Sequence, residues 1–413
     1  MIERPKLRPV EVVLARASER PIYLIRDASR MTDGAVTVSE DILYVLRFFD
    51  GQHSALDIRA EYMRKFGSFL FEEQLDELIQ KLDSSLLLDG DGFNKYMEAL
   101  KSEFARSETR AASHAGSAYP GEPEALCRMF DGFFTHPDGP GEPGSAGGGG
   151  PALRGLVLPH IDMRAGGPCL AWGYKALAER EWPDLYVILG TGHSNPENNF
   201  ALTMKDFVTS LGRATTDRSF VEAVMQACEP DLMAGELAHK SEHSVEFQVV
   251  FLQYLYRKFR EGASPSIVPV LCSFGYANVD PDVDPQTADE ILEFVGALRD
   301  AIETSGKTIC LLASVDLAHL GPRYGDERGI AEAELGVVRN RDLGMLEAVE
   351  RGDAEEFASF VAEERDARRV CGFSPVYTLL KTIEPASGRL LKYSSTPVDN
   401  AGSIVSFASM ALY

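Results

Sequence analysis

D-L-Y-V-I-L-G-T-G-H-S-N-P, Asp184 to Pro196, is the stretch whose reading decides the fold. Leu185 to Leu189 is a short apolar run rich in β-branched residues, the pattern of a strand buried on both faces. Gly190 and Gly192 then read as a tight turn, because glycine takes positive φ without steric cost. His193 follows just beyond a strand's carboxyl end, where open α/β sheets place their ligands. Ser194, Asn195 and Pro196 keep the backbone irregular after it. Such a histidine reads as a metal ligand or a catalytic base, with a loop histidine capping a helix as the alternative.

Working outward, the same alternation recurs on both sides. Leu153–Leu158 reads as a strand ending on P-H-I-D, followed by the helix Cys169–Arg180, which Gly166-Gly167-Pro168 opens. A short strand at Phe200–Met204 leads to the helix Arg218–Cys228, and an amphipathic helix runs to about Arg260 with Ser244 as its expected N-cap. Strands at Ser266–Cys272 and Thr308–Ser314 flank a helix at Thr287–Glu303. Helices occupy 326–364 and follow Phe373, and strands near 390–394 and 403–409 end the chain. Strands alternating with helices predict an α/β three-layer domain with a mostly parallel central sheet. Residues 137–152 lie in H-P-D-G-P-G-E-P-G-S-A-G-G-G-G-P-A, low-complexity sequence that reads as a flexible Gly/Pro loop inside this domain.

The amino-terminal part differs. Residues 21–30 and 37–39 read as two short strands, and 40–49, 54–65 and 71–88 as three helices, with Ser39 and Ser54 as helix starts. That is a small α+β, winged-helix-like module over 1–95, joined through a helical linker at 96–111 to a domain at 112–413.

A chain of 413 residues is long for one domain, and 45% hydrophobic with 25% charged residues is the composition of a globular protein with a substantial core. The net charge of −22 argues against a protein that grips nucleic-acid phosphates. Residues 1–110 carry 16 Lys+Arg against 20 Asp+Glu, so the acidity belongs mainly to the second part. No run of about 18 apolar residues predicts a membrane span, and MIERPKLRPV lacks the apolar core of a signal peptide. Six scattered cysteines without a C-x-x-C pair read as reduced, and the expected compartment is cytoplasmic.

Three strands end in the same way, on His160 in L-P-H-I-D, His193 in G-T-G-H-S and His319 in S-V-D-L-A-H-L-G. With His243 in E-H-S-V-E they make half of the chain's eight histidines. Parallel strands would bring the three strand-end residues to one sheet edge, as a first-row metal site or an acid/base cluster. His239-Lys-Ser-Glu242-His243 is also a literal H-x-x-E-H, which on one helical turn would make a zinc peptidase. Ser244 as N-cap would leave His239 and His243 off a shared helical face, against that reading.

P-H-I-D, G-T-G-H-S, S-E-H-S-V-E-F-Q, V-P-V-L, S-V-D-L-A-H-L-G and C-G-F-S-P occur in an order that resembles the Memo family, also called AmmeMemoRadiSam system protein B in bacteria. The A-G-S-A-Y-P segment at 115–120 looks like that family's opening. The resemblance implies a fold similar to the LigB-type class III extradiol dioxygenases and one redox metal, non-haem iron or copper. It implies His160, His193 and Cys371 as the metal ligands, His319 as catalytic base, and Asp316 and His243 as its polar neighbours. Glu242 and Glu246 would orient the imidazoles, and Asp162, where better-known relatives carry glycine, would offer an extra oxygen ligand. A cysteine ligand softens the site toward copper or a redox role and away from ring cleavage, and a helix amino terminus behind Cys371 favours its thiolate. The implied partners are radical-SAM and AMMECR1-like proteins.

In the first part, L-I-R-D, V-S-E-D-I-L-Y-V-L and F-F-D-G-Q-H-S-A-L-D-I resemble PqqD-like domains, which bind leader peptides for radical-SAM enzymes. A peptide-binding role and a module that only packs on its neighbour both stay open. For the whole chain the expected function is a redox or O2-dependent oxidoreductase, against a non-catalytic adaptor that reuses the pocket for peptide or metal.

Overall fold

The computed structural model describes residues 2–16, 21–28, 31–144, 151–194 and 198–413. Asn195 and Pro196, and 145–150 of the Gly/Pro segment, lie outside them. The chain divides into two compact units, Met1–Arg106 and Ser107–Tyr413.

The first unit is built on an antiparallel sheet of β1 (Val10–Arg16), β2 (Ile22–Asp27) and β3 (Ala35–Ser39), in that order. Helices α1 (Glu40–Val45), α2 (Ala55–Phe66), α3 (Glu72–Ser84) and α4 (Asp91–Arg106) follow. Strand β1 is absent from the sequence expectation, because an edge strand with Val12, Val13 and Leu14 largely exposed lacks an in–out alternation. Ser54 caps α2 through a capping box with Asp57, as its position before the apolar periodicity predicts. Ile25, Val36, Val45, Ile58, Leu75, Leu82 and Leu87 form the core of the unit.

The second unit opens with β4 (Thr109–Ala111) and α5 (Pro123–Thr135), followed by β5 (Gly155–Leu158), α6 (Met163–Ala178), β6 (Leu185–Thr191), β7 (Phe200–Leu202), β8 (Asp206–Thr209), β9 (Gly212–Thr216) and α7 (Arg218–Gln226). It continues with α8 (His243–Phe259), β10 (Ser266–Cys272), α9 (Pro285–Thr304), β11 (Ile309–Ser314) and β12 (His319–Leu320). Helices α10 (Glu332–Arg351), α11 (Ala354–Glu363) and α12 (Phe373–Ile383) then precede β13 (Gly388–Pro397) and β14 (Ile404–Leu412). The sheet order is β12-β14-β5-β11-β6-β10-β9-β8-β4, and the central run β5-β11-β6-β10-β9 is parallel throughout. Antiparallel strands sit toward the flanks. The fold is the expected α/β three-layer arrangement.

Alternation along the buried central strands assigns the layers. Val187 and Leu189 face a core shared with Phe220 of α7, Phe294 and Leu298 of α9, and Leu379 of α12. Tyr186 and Ile188 face the opposite core, with Phe130 of α5, Tyr174 of α6 and Phe251 of α8. Burial on both faces is why these strands read as continuous apolar runs. The outlying strands β4, β8 and β9 are short and half-polar, and sequence alone does not show them.

Two local expectations change. Helix α6 begins at Met163, with Pro168 inside it rather than before it, and Asp162 as N-cap accepts a hydrogen bond from Arg164 N. The described first part of the Gly/Pro segment, 137–144, is tied down: Asp138 O accepts from Trp172, Pro140 O from Lys175, and Gly144 N donates to Glu179.

Candidate metal centre

Register across the parallel strands brings the site together. Ser314 at the end of β11 stands between Leu158 of β5 and Gly190 of β6. The chains leaving these three strands carry His160, Asp316 and His193 away from the same sheet edge. The amino terminus of α8 meets that edge, and Gly190 is what lets it. A Cβ on Gly190 would lie 2.6 Å from Ser244 Oγ and 2.7 Å from Val245 Cγ2. Gly190 therefore lies within β6 and serves close approach, not the turn its sequence context suggests.

Helix α8 is fastened to the edge by buried polar groups. Gln248 Nε2 donates to Pro159 O at 3.1 Å and Ser314 Oγ at 2.7 Å; Ser314 Oγ donates to Ser244 O, and Ser244 Oγ to Thr191 O. The helix starts at His243 with Glu242 as N-cap, two residues earlier than the expected Ser244 cap. One side chain, Glu242, thus closes the helix end and reaches the adjacent loop.

Three imidazoles converge as a result: one ligand nitrogen from each of His160, His193 and His243 lies within 4.8 Å of the others. Each ring is oriented by its Nδ1. His160 Nδ1 donates to Ser314 O at 2.8 Å, which leaves a lone pair on Nε2. Glu242 Oε1 holds His193 Nδ1 at 3.0 Å and His243 Nδ1 at 3.1 Å, and Oε2 accepts from His193 N. A carboxylate or backbone carbonyl behind each ring is how metal-binding imidazoles are held. Burial pulls His160 well below the ordinary range, helped by its two imidazole neighbours. Burial acts the same way on His193, but the hydrogen bond and charge of Glu242 outweigh it and raise that ring. Burial opposes ionisation of Glu242, yet bonds from His193 and His243 hold it well below the carboxylate range.

The remaining expected residues fall around this cluster. Asp316 accepts from the backbone nitrogens of His160 and Ile161 at 3.2 Å, and burial raises its carboxyl to about 6. His319 Nδ1 faces two carbonyls, Leu317 O at 3.0 Å and Arg369 O at 3.2 Å. Carbonyls only accept, so Nδ1 carries the hydrogen and Nε2 is a free base. Burial lowers its pKa, partly opposed by Asp316. Cys371 Sγ lies 3.5 Å from His160 Nε2 and 3.5 Å from Asp316 O. Desolvation pushes this thiol well above its ordinary value, so the helix behind it does not deliver a thiolate unaided. The third member of the compact nitrogen cluster is His243, where the resemblance implied Cys371.

Two residues are placed otherwise than expected. Glu246 touches none of the three imidazoles: it binds the Arg110 guanidinium, Tyr119 OH, the Ser113 hydroxyl and the backbone nitrogens of Ser113 and His114. It fastens the 110–119 segment to α8. Asp162 is exposed, capping α6 and paired with Arg164 at 3.4 Å, though it borders the same cavity. His239 is buried in a 3-10 helix, Glu236–Lys240, with Nε2 on Ala201 O at 3.0 Å. The change of helix type between His239 and His243 removes H-x-x-E-H as a single-turn motif. Sequence reasoning missed His114, whose ring packs edge-on to His243 at 5.7 Å, and Arg323 and Tyr324 on the cavity rim. For His114 the scarcity of histidine was the only signal.

The cluster opens into a cavity of about 590 Å³ that also reaches Asp316 and His319. Its size suits a small-molecule ligand. Three imidazoles with a free base beside them fit a first-row metal ion, since imidazole is a ligand for zinc, copper, iron and nickel alike.

The comparisons agree with this architecture. The model of the Memo-like protein family matches residues 110–411, and the chain belongs to the Memo family. Among curated relatives, a MEMO1 family protein of Aquifex aeolicus is 26% identical over 394 residues, 95% of this chain and 96% of its own. MEMO1 family proteins of Methanopyrus kandleri and Aeropyrum pernix are 32% and 30% identical, each over 70% of this chain and 92% of their own. The Aquifex match therefore extends across both units, whereas the other two have the length of the second.

Proposed function

We propose that the chain binds one redox metal, iron or copper, at His160, His193 and His243, and works as a redox or O2-dependent oxidoreductase. The observation that carries this reading is the orientation of three Nε2 edges by Glu242 and Ser314 O beside a cavity with its own base. Bound there, the metal would supply redox chemistry or O2 activation. The chain's residues do the rest: Glu242 holds two ligand rings, and Cys371 stands next to His160 as a softer donor within reach. His319 Nε2 takes a proton from a substrate in the cavity, and Asp316, with its carboxyl near 6, accepts or returns one at neutral pH.

The cell compartment in this reading is the cytoplasm. Six free cysteines suit a reducing environment, and among the described residues no helix is long and apolar enough to cross a membrane. Radical-SAM and AMMECR1-like proteins are the proposed partners, with the amino-terminal unit as the element that recruits a peptide. The L-I-R-D, V-S-E-D-I-L-Y-V-L and F-F-D-G-Q-H-S-A-L-D-I stretches of that unit support this reading through their resemblance to PqqD-like domains.

The test is metal content by mass spectrometry, on untagged protein purified without added metal. Near-stoichiometric iron or copper, lost in His193→Ala and His243→Ala, is the expected result. Zinc alone would overturn the redox reading, and no metal under any loading condition would leave an adaptor. Retention or loss in Cys371→Ala decides whether the sulfur is a ligand.

A further inference from the structure

The chemistry of the cavity changes from floor to rim. Its floor is the three imidazoles with Asp316 and His319. Its walls are apolar, from Ile161, Pro397, Val398 and Val405. Tyr324 continues that surface, its ring edge-on to His319 at 5.0 Å. At the rim stands Arg323, exposed to solvent and the sole cation bordering the cavity among the described residues.

Arg323 is presented on a short 3-10 turn, Pro322–Tyr324, that the fold fixes firmly. Its backbone nitrogen donates to Ser403 Oγ at 3.0 Å. The preceding Gly321 has φ of 106°, and a Cβ there would lie 2.5 Å from Ser403 Cα, so only glycine allows this turn to sit against the 403 strand entry. Among the described residues the guanidinium makes no hydrogen bond or close ion pair, and its interaction with the protein's own acids is the longer-range one with Asp399. Asp399 feels its charge, but Asp399 Oδ1 accepts from the nitrogens of Ala401 and Ser403. By contrast Arg164 and Arg369 nearby are held by Asp162 and Asp326. A fixed backbone with an uncommitted planar fork is a receptor for a carboxylate.

We propose that the cavity takes a small monocarboxylate with an apolar body, its carboxylate on Arg323 and its far end over the three imidazoles. Only the last clause, the identity of the reacting end's environment, rests on the metal-centre reading above. One guanidinium bordering the cavity matches a single carboxylate. The apolar side chains of Ile161, Pro397, Val398 and Val405 favour an aromatic or branched skeleton, which a cavity of about 590 Å³ accommodates.

The experiment is calorimetric titration of the full chain with benzoate and with its neutral isostere benzamide, together with metal content, in wild type, Arg323→Ala and Arg323→Lys. Benzoate binds wild type more tightly than benzamide does. Arg323→Ala weakens benzoate by about tenfold or more, leaves benzamide and the metal content unchanged, and Arg323→Lys restores part of the difference. Equal binding of the two probes, benzoate binding insensitive to Arg323, or no benzoate binding at millimolar concentration would overturn the proposal. The two readings fail separately. Metal-replete protein with Arg323-independent benzoate binding removes the carboxylate subsite alone, and metal-free protein with Arg323-dependent binding removes the metal centre alone.

Discussion

His239 and His243 sit four residues apart in one H-x-x-E-H stretch and have opposite fates. His239 is buried, bonded to a backbone carbonyl, and desolvation lowers it to about 4. His243 starts α8, shares Glu242 with His193 and borders the cavity. Spacing of four predicts a common face only if the backbone is one continuous helix. Here a 3-10 turn ends before Glu242 caps a new α-helix, and the two rings part. The contrast teaches that a cap residue decides which half of a motif reaches solvent.

The largest test of that contrast replaces each ring in turn. His243→Ala is expected to weaken metal binding by more than about 100-fold, beyond the cost of losing an orienting partner. His239→Ala is expected to leave metal content near wild type. Equal loss in both variants would return the stretch to a peptidase-like site.

Glu242→Gln comes next. The amide keeps the size and one oxygen, but it removes the negative charge behind both rings and replaces the Oε2 acceptor of His193 N with a donor, and metal affinity is expected to fall about 10–100-fold. Chelator competition reads this directly, and an unchanged constant would mean that Glu242 is only a helix cap.

Gly190→Ala probes the approach of α8 rather than its ligands. The added methyl meets Ser244 and Val245, and overpacking of this kind costs about 1–3 kcal/mol. Denaturant midpoints should drop while His239→Ala controls retain metal. A neutral substitution would show that α8 has room to shift.

His239 adds a pH dependence of stability. Its folded pKa, about 4, lies below the ordinary histidine value of about 6.5, so the unfolded chain binds the proton first as pH falls. Its contribution is therefore complete above about 6.5 and declines toward 4, at roughly 1.4 kcal/mol per pH unit for one proton. His239→Gln should flatten that part of the stability profile; an unaltered slope would assign the acid sensitivity elsewhere.

Much of the fold was legible because its central strands are buried on both faces. Leu185–Leu189, Ser266–Cys272 and Thr308–Ser314 announced themselves by continuous apolar runs. The edge strand β1 and the short strand β8 did not, since exposed or half-polar strands carry no such signal. For the site, three strand-end histidines were visible as a repeated ending. Partnership was not. Glu242 and Glu246 lie one turn apart, and nothing in the sequence says that one serves the rings and the other Arg110. Gly190 was singled out for a turn, but the contact that needs it comes from a residue more than fifty positions later, Ser244.

The buried amide of Gln248, bridging the loop after β5 and the end of β11, has a consequence for how the proposed centre would exchange an ion. The helix that carries His243 is latched to the sheet by protein groups alone, so the ligand cage resembles a rigid socket more than a clasp closed by its contents. Removal of the ion should leave the melting transition of the chain cooperative, and re-addition should restore occupancy without a refolding step. Such a socket would load and empty reversibly, with selectivity set by fixed spacing instead of by the energy of folding around the guest.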